Sequence, residues 1–216
     1  MDEPEFDLTL ADIDYELWAL DEHLQALEGQ IAFMQHPDRL KTYADLKGKG
    51  FASEEIDTVL DVHDHRVNRI LPRMLRGSFL IVLWAVFEAS ALEIAALLRK
   101  RKSVVAKVPD AKPAADLVKN LVRYVTEKLG LPLALNAACE GSLGDLLLVR
   151  DAFAHANGRV DAIRHNRMKR IDTMITSGLV EDEDGFLIPS ALLLKQSHAA
   201  VRDALQTFMK AYEQAA

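Results

Sequence analysis

Apolar residues recur at steps of three and four along most of this chain, and that spacing predicts long amphipathic helices. Proline and glycine are scarce, with 7 and 10 residues, and they lie mostly between the periodic segments. The clearest apolar stripe falls within residues 8–35 and contains Leu10, Ile13, Leu17, Leu20, Leu24, Leu27 and Ile31. We therefore expect a mainly α fold whose first helix ends at Pro37.

Two interruptions are predicted before the middle of the chain. Residues 35–52 are expected to form a loop with room for one short turn. Ser53, followed by two glutamates, is a predicted N-cap for a second helix that reaches about Ile70. Pro72 has no N–H to donate to the carbonyl of residue 68, so we expect a kink or a short break in the helix there.

Residues 73–102 are apolar on nearly all sides of the predicted helix, as expected for a central helix with neighbours around it. The most apolar run, residues 79–87, is nine residues long, whereas a membrane-spanning helix needs about 20 apolar residues. The segment is therefore interpreted as the core of the domain and not as a membrane anchor. Its expected core residues are Phe79, Leu80, Val82, Leu83, Val86, Phe87, Leu92, Ile94 and Leu97.

The remainder of the chain predicts further helices and one small hairpin. Ser142 is the expected N-cap of a helix that runs to about Ala156 and stops at Asn157-Gly158. Asp184-Gly185, between two apolar arms, is typical of a tight β-turn and predicts a hairpin near residues 178–189. The other predicted helices cover residues 114–130, 161–176 and 190–213. We expect one domain over residues 1–216, with an N-terminal helix and loop (1–50), a core bundle (53–160) and C-terminal helices with the hairpin (161–216).

The composition of the chain limits where the protein is expected to be located and what it is expected to bind. The single cysteine, Cys139, cannot form an internal disulfide, and the first residues lack the pattern of a secretory signal, so we expect a cytoplasmic protein. The formal net charge of −7 opposes broad adhesion to nucleic acid. A local basic patch remains available for RNA, however, and its residues are Arg159, Arg164, Arg167, Lys169 and Arg170.

The segment VRDAFAHANGRV, residues 149–160, carries the candidate chemistry. At 100° per residue, Leu146, Val149, Phe153 and Ala156 form one apolar stripe. The polar residues Arg150, Asp151 and His155 then face outward. Asp151 and His155 are four residues apart, so the carboxylate is expected to hydrogen-bond the imidazole and fix its tautomer.

Arg150 lies about 140° around the helix from His155, with the small Ala154 between them. This predicts a shallow site bordered by a fixed positive charge and a residue that can carry a proton. A phosphate group suits such a site.

Arg150 and Asp151, three further residues and then His155, near the end of a helix in an all-α chain, resemble the Arg-polar-three-any-His signature of the HEPN domain family. The apolar helix with WAVFEASALE at residues 84–93 is similar to the family's first core helix. The resemblance implies an antiparallel helical bundle, a homodimer with a composite cleft, and RNA cleavage without a metal or other cofactor. His155 would then move protons, Arg150 would stabilise the phosphorane, and Asp151 would orient the site.

The resemblance also implies partners: RNA, a second copy of the chain, and an antitoxin or another regulatory protein, in a toxin or anti-phage setting. Two alternatives stay open. The three residues can instead be the solvated end of an ordinary helix with an Asp/His surface pair. The fold can also be a HEPN-like module that dimerises, or binds a nucleotide or a partner protein, without cutting RNA.

Other candidate sites are weaker. His63 and His65 point in nearly opposite directions on a helix, which disfavours a shared metal ion. Cys139 is expected to be a small buried residue, and His165 to lie on a solvated face. The acidic run at residues 181–184 lacks the spacing of a calcium-binding loop, and GKG at 48–50 is too short for a phosphate-binding loop.

Overall fold

Eight α-helices and one two-stranded antiparallel sheet make up the described structure, a computed structural model that covers residues 8–35, 39–111 and 114–215. The mainly α fold predicted from the sequence is confirmed. The helices are α1 (Leu8–Gln35), α2 (Arg39–Gly48), α3 (Ser53–His65), α4 (Leu71–Arg101), α5 (Leu117–Arg123), α6 (Ala137–Ala156), α7 (His165–Thr176) and α8 (Ala191–Gln214). The strands are β1 (Val180–Glu183) and β2 (Phe186–Pro189).

The core forms where α4, α6 and α8 pack against one another. The predicted central helix is confirmed: Phe79, Leu83, Trp84 and Phe87 of α4 are all buried. Val82 is 49% exposed, however, so α4 keeps one edge in solvent. The three helices therefore form the frame on which the other elements lie.

Helix α1 packs along α4 and α8 through the predicted apolar stripe, of which every member from Ile13 to Ile31 is buried. Arg76 of α4 strengthens this packing. Its guanidinium donates to both carboxylate oxygens of Glu28 on α1, at 2.8 and 2.7 Å, and to the carbonyl oxygen of Pro189 at 3.0 Å. One arginine thus joins α1, α4 and the end of β2. Pro37, the predicted end of α1, lies outside the described residues.

Of the kink or short break expected at Pro72, the break does not occur. The chain remains helical from residue 53 to residue 101, and Arg66–Ile70 form a π-helical turn between α3 and α4. The N–H of Leu71 donates to the carbonyl oxygen of Arg66, five residues earlier. A π-helical turn changes which carbonyls are paired, so the helix continues past a proline that cannot donate.

By length and composition alone, the continuous helix Ser53–Arg101 is apolar enough to cross a membrane. Of its most apolar 18-residue window, 44% is buried inside the protein. The buried face of this helix packs against α1, α6 and α8, which is the central position predicted for residues 73–102.

Several predicted boundaries were wrong. Residues 39–48 form the helix α2 instead of a loop with one turn. The N-cap of α3 is Ala52, whose N–H donates to the Glu55 carboxylate at 2.9 Å, so Ser53 is already helical. The segment before α7 is a short 3-10 turn, and regular α-helix begins only at His165.

Helix α6 begins earlier than predicted, at Ala137, and Ser142 is not its N-cap. Asn136 is its N-cap, and the Asn136 side-chain oxygen accepts a hydrogen bond from the N–H of Cys139 at 2.8 Å. Asparagine and serine both cap helices well, so residue preference alone does not favour Ser142 over Asn136. The end of α6 agrees with the prediction, since Asn157 adopts the left-handed conformation and Gly158 follows it.

The predicted hairpin is confirmed. Strands β1 and β2 pair from Val180 opposite Pro189 to Glu183 opposite Phe186, and both turn residues have a positive φ, as a type I′ turn requires. The hairpin also holds the chain that leaves α6. The N–H of Leu187 donates to the carbonyl oxygen of Gly158 at 2.8 Å, and the N–H of Val160 donates to that of Gly185 at 2.9 Å.

The Phe153 ring of α6 fits between two glycines. A Cβ added at Gly77 of α4 would overlap this ring, and a Cβ at Gly158 would lie only 2.9 Å from its Cζ atom. Gly158 also has a φ of +79°, which other residues rarely adopt. The close approach of α4 and α6 therefore depends on the missing side chain at Gly77.

We expect Gly77→Ala to lower the free energy of unfolding by about 1–2 kcal/mol. Overpacking against the ring costs roughly 1–3 kcal/mol, and the better helix propensity of alanine returns up to about 1 kcal/mol. The matched control is Gly144→Ala in α6, where an added Cβ meets nothing within 4 Å and the same propensity gain should stabilise the fold. Urea denaturation measures both, and equal stabilisation by the two variants would contradict the packing described here.

Candidate active site

The end of helix α6 presents the three polar residues as the helical geometry predicts. Leu146, Val149 and Phe153 are buried and hold the helix in the core. The side chains of Arg150 and Asp151 are partly buried, with 25% and 23% of their surface exposed, and His155 is exposed. The apolar residues thus fix the orientation of the helix, and the polar residues lie at its surface.

The hydrogen bond that the sequence predicts between Asp151 and His155 is not formed. The two carboxylate oxygens of Asp151 accept instead from two guanidinium groups: Arg150 Nη1 at 3.0 Å and Arg167 Nη1 at 2.9 Å. Arg167 belongs to α7, sixteen residues further along the chain. Asp151 therefore positions two arginines, and the His155 imidazole has no hydrogen-bond partner within the described parts of the chain.

A groove of about 520 Å³ runs between the end of α6 and the start of α7. Its lining brings the motif together with two residues of the predicted basic patch, Arg164 and Arg167. The sequence predicted a site over Ala154, but the groove lies beside Ala152 and Ala156. The chain after residue 160 folds back along that side of α6 and forms the other wall. The lining residues are Ala114, Leu148, Arg150, Asp151, Ala152, His155, Ala156, Ala162, Ile163, Arg164 and Arg167.

The groove carries an excess of positive charge. Three guanidinium groups and one carboxylate line it, together with one histidine. The Nε atom of Arg150 is buried and has no hydrogen-bond partner in the described part of the chain, whereas Nη1 of the same guanidinium donates to Asp151. The positively charged side chains that line the groove attract an anion. The groove is therefore suited to a phosphate or another oxyanion.

The other members of the predicted basic patch lie outside this groove. Arg159 forms an exposed ion pair with Asp161, with nitrogen–oxygen distances of 3.0 and 2.5 Å. This hydrogen bonding raises the pKa of Arg159 and lowers the pKa of Asp161. Lys169 is exposed on α7 and does not line the groove. Only two of the five patch residues therefore meet the motif.

Arg170 has a structural partner that the sequence analysis missed. Its Nε and Nη2 atoms donate to the two oxygens of Asp145 on α6, both at 2.6 Å, and this bonding raises the pKa of Arg170. Asp145 is 5% exposed. The signal was present in the sequence, because an aspartate directly before the apolar run LLLV, residues 146–149, needs a partner if the start of that run is buried. This pair fixes α7, and with it Arg167, against α6.

The weaker candidates are placed away from the groove. Among the described residues, no group of three or more His, Cys, Asp or Glu side chains could hold a metal ion. Glu183 of the acidic run pairs with Arg69 at 2.7 Å. Cys139 is buried, as predicted, and burial followed by the nearby Asp203 and Glu140 carboxylates raises the pKa of its thiol. His165 is exposed at the first residue of α7.

Comparison of this chain with known proteins identifies no relative. No family model matches the chain, and no curated protein or solved structure is significantly similar to it. Any statement about activity therefore rests on the groove itself and on the signature at residues 150–155.

Proposed function

We propose that this protein is a HEPN-like endoribonuclease that cleaves RNA without a metal ion. One observation carries the proposal: Arg150 and His155 of the signature line the same groove as Arg164 and Arg167, with Asp151 bonded to two of these arginines. The groove thus combines a histidine, the side chain that most often serves as a general acid or base, with fixed positive charge. Those are the two things that cleavage by the RNA's own 2′-hydroxyl requires of a protein.

In the proposed reaction, the ribose 2′-oxygen attacks the adjacent phosphorus while a base removes its proton. The bond from phosphorus to the 5′-oxygen then breaks, and that oxygen takes up a proton from an acid. The products are a 2′,3′-cyclic phosphate and a 5′-hydroxyl. His155 carries one of the two protons, and the guanidinium of Arg150 stabilises the charge on the phosphorane. Asp151 holds Arg150 and Arg167 in place.

One histidine per groove supports the proposed homodimer. The reaction needs a base and an acid at the same time, and His155 is the only histidine that lines the groove in the described structure. A second copy of α6 placed opposite would bring a second His155 and a second Arg150. Each chain therefore supplies half of the catalytic groups, and the dimer brings the two halves together in one site.

The test is cleavage of a single-stranded RNA oligonucleotide in EDTA. We expect products with a 2′,3′-cyclic phosphate and no cleavage of the same oligonucleotide when its riboses are 2′-deoxy. Light scattering of the same preparation should give a dimer. Cleavage that needs a divalent metal, or that proceeds on the deoxy substrate, would contradict the proposed chemistry. A stable monomer that cleaves normally would contradict the composite site.

A second candidate is a groove that binds a phosphate-containing ligand and does not cut it. The observation that favours it is that the His155 imidazole does not donate to the Asp151 carboxylate, which leaves the imidazole without the group that would orient it. This candidate predicts that RNA binds in a way that needs Arg150, Arg164 and Arg167 but stays intact. Binding of 2′-O-methyl RNA without cleavage of unmodified RNA would favour it.

The biological setting belongs to the same proposal. A ribonuclease of this type would act in the cytoplasm, as a toxin or an anti-phage effector, and an antitoxin or another regulatory protein would restrain it. The overall charge of −7 supports selectivity, because bulk RNA is repelled and only RNA that reaches the arginines of the groove is bound.

A further inference from the structure

Helix α1 carries a second apolar stripe on the side that faces solvent. Leu8, Tyr15 and Trp18 are 71%, 69% and 61% exposed. With Ala11 they follow each other at steps of three, four and three residues, opposite the stripe that packs on the core. A shallow cavity of about 500 Å³ lies at Ala11, Asp14, Tyr15 and Trp18. An exposed tyrosine and tryptophan on adjacent turns of one helix are typical of a protein interface.

The charges beside this stripe are all negative. Helix α1 contains no lysine or arginine over its 28 residues. When Leu8 and Tyr15 are assigned to position a of a heptad and Ala11 and Trp18 to position d, Asp12 falls at position e and Asp14 at position g. Both aspartates are exposed and have no ion-pair partner in the described ranges. These are the positions that choose the partner of a helix in a helix pair.

We propose that the outer face of α1 binds a basic amphipathic helix of a partner protein. Apolar residues of that helix would pack on Tyr15 and Trp18, and lysine or arginine beside them would face Asp12 and Asp14. A second copy of α1 fits less well, because aspartates would then face aspartates. Residues 1–7 have the same fault as occupants, since they contain four acidic residues and no basic one.

This surface is separate from the groove. Helix α1 packs on α4 and α8, and α6 packs on the same two helices. Three mutually packed helices form a triangle, so a helix that covers the α4–α8 side lies across from α6. A partner on α1 therefore leaves the groove open, and the inference stands independently of the proposed ribonuclease activity.

The test uses the full chain and a synthetic peptide of about three heptads, with leucine at a and d and lysine at e and g. Trp18 supplies the signal, because Trp84, the other tryptophan, is buried. We expect the Trp18 emission to shift to shorter wavelength on binding. A peptide with glutamate at e and g, and one with the lysine composition scrambled, should leave it unchanged. Failure of the lysine peptide to bind would overturn the proposal.

Variants locate the binding surface. Tyr15→Ala with Trp18→Ala should weaken binding, measured by calorimetry, by at least about thirtyfold, as loss of central aromatic anchors does. Phe33→Ala is the matched control, since Phe33 is 83% exposed on the same helix but lies four turns beyond Trp18. Asp12→Lys with Asp14→Lys should reverse the preference to the glutamate peptide. Equal binding by all of these variants would contradict the assigned surface.

Two further outcomes would identify a different occupant and overturn the proposal. One is self-association of the wild-type chain that Tyr15→Ala with Trp18→Ala abolishes, which would assign the face to a second copy. The other is peptide binding that occurs only after removal of residues 1–7, which would assign the face to that segment.

Discussion

Replacing His155 with alanine is expected to slow RNA cleavage by about 10²–10⁴-fold, the usual contribution of a positioned general acid or base. The fold should tolerate the change, because the His155 side chain is exposed and packs on nothing in the core. The free energy of unfolding should stay within about 0.5 kcal/mol of the wild type. The measurement is the single-turnover cleavage rate of a fixed RNA oligonucleotide in EDTA, with the unfolding midpoint measured in parallel.

His165→Ala is the matched control for this variant. His165 is also exposed, lies at the start of α7 ten residues after His155, and does not line the groove. Its replacement should leave the cleavage rate within about twofold of the wild type, since surface changes away from a site have small effects. Equal rates for His155→Ala and the wild type would remove His155 from the mechanism. A large loss in His165→Ala with none in His155→Ala would move the proton carrier to α7.

Replacing Arg170 with alanine should cost about 2–3 kcal/mol of the free energy of unfolding. Asp145 is buried, and the variant removes both of its charged hydrogen bonds at once, which leaves a carboxylate with no partner in an apolar region. The estimate lies below the usual loss for a fully buried pair, because the Arg170 side chain is 51% exposed. Urea denaturation at neutral pH gives the value.

Lys169→Ala is the neighbouring control for Arg170, and it should change the free energy of unfolding by less than about 0.5 kcal/mol. Adding Asp145→Ala to Arg170→Ala should recover part of the loss, because the unpaired carboxylate is then gone. A double variant that loses as much as the two single variants together would show that the two residues do not act as a pair.

Apart from α2, the helices and the hairpin could be predicted because each has a local cause in the sequence. The stripe from Ile13 to Ile31 and the Asp184-Gly185 turn both depend on residues close together in the chain. The first residues of the helices were harder to predict. Gly141 and Ser142 resemble a loop that ends in an N-cap, yet packing of the apolar residues on both sides extends α6 back to Ala137 and overrides that local preference.

The candidate site divides in the same way. The helical wheel correctly placed Arg150, Asp151 and His155 on the surface of α6, since one helix determines those directions. The contact of Asp151 with Arg167 could not be predicted from the geometry of one helix, because Arg167 belongs to α7. Likewise, five basic residues that are equivalent in the sequence separate in space into two that line the groove, one that holds Asp145 and two that lie elsewhere.

The hydrogen bonds between the hairpin and the residues Gly158 and Val160 have a consequence for how this groove can change during evolution. The segment that connects its two walls is held by main-chain groups of Gly158, Val160, Gly185 and Leu187, which among side-chain changes only a proline at Val160 or Leu187 would delete directly. This connection therefore does not depend on which side chains line the groove. His155 and Arg164, which form no ion pair between the described parts of α6 and α7, can be exchanged without loss of that connection, and such changes would alter what the groove binds.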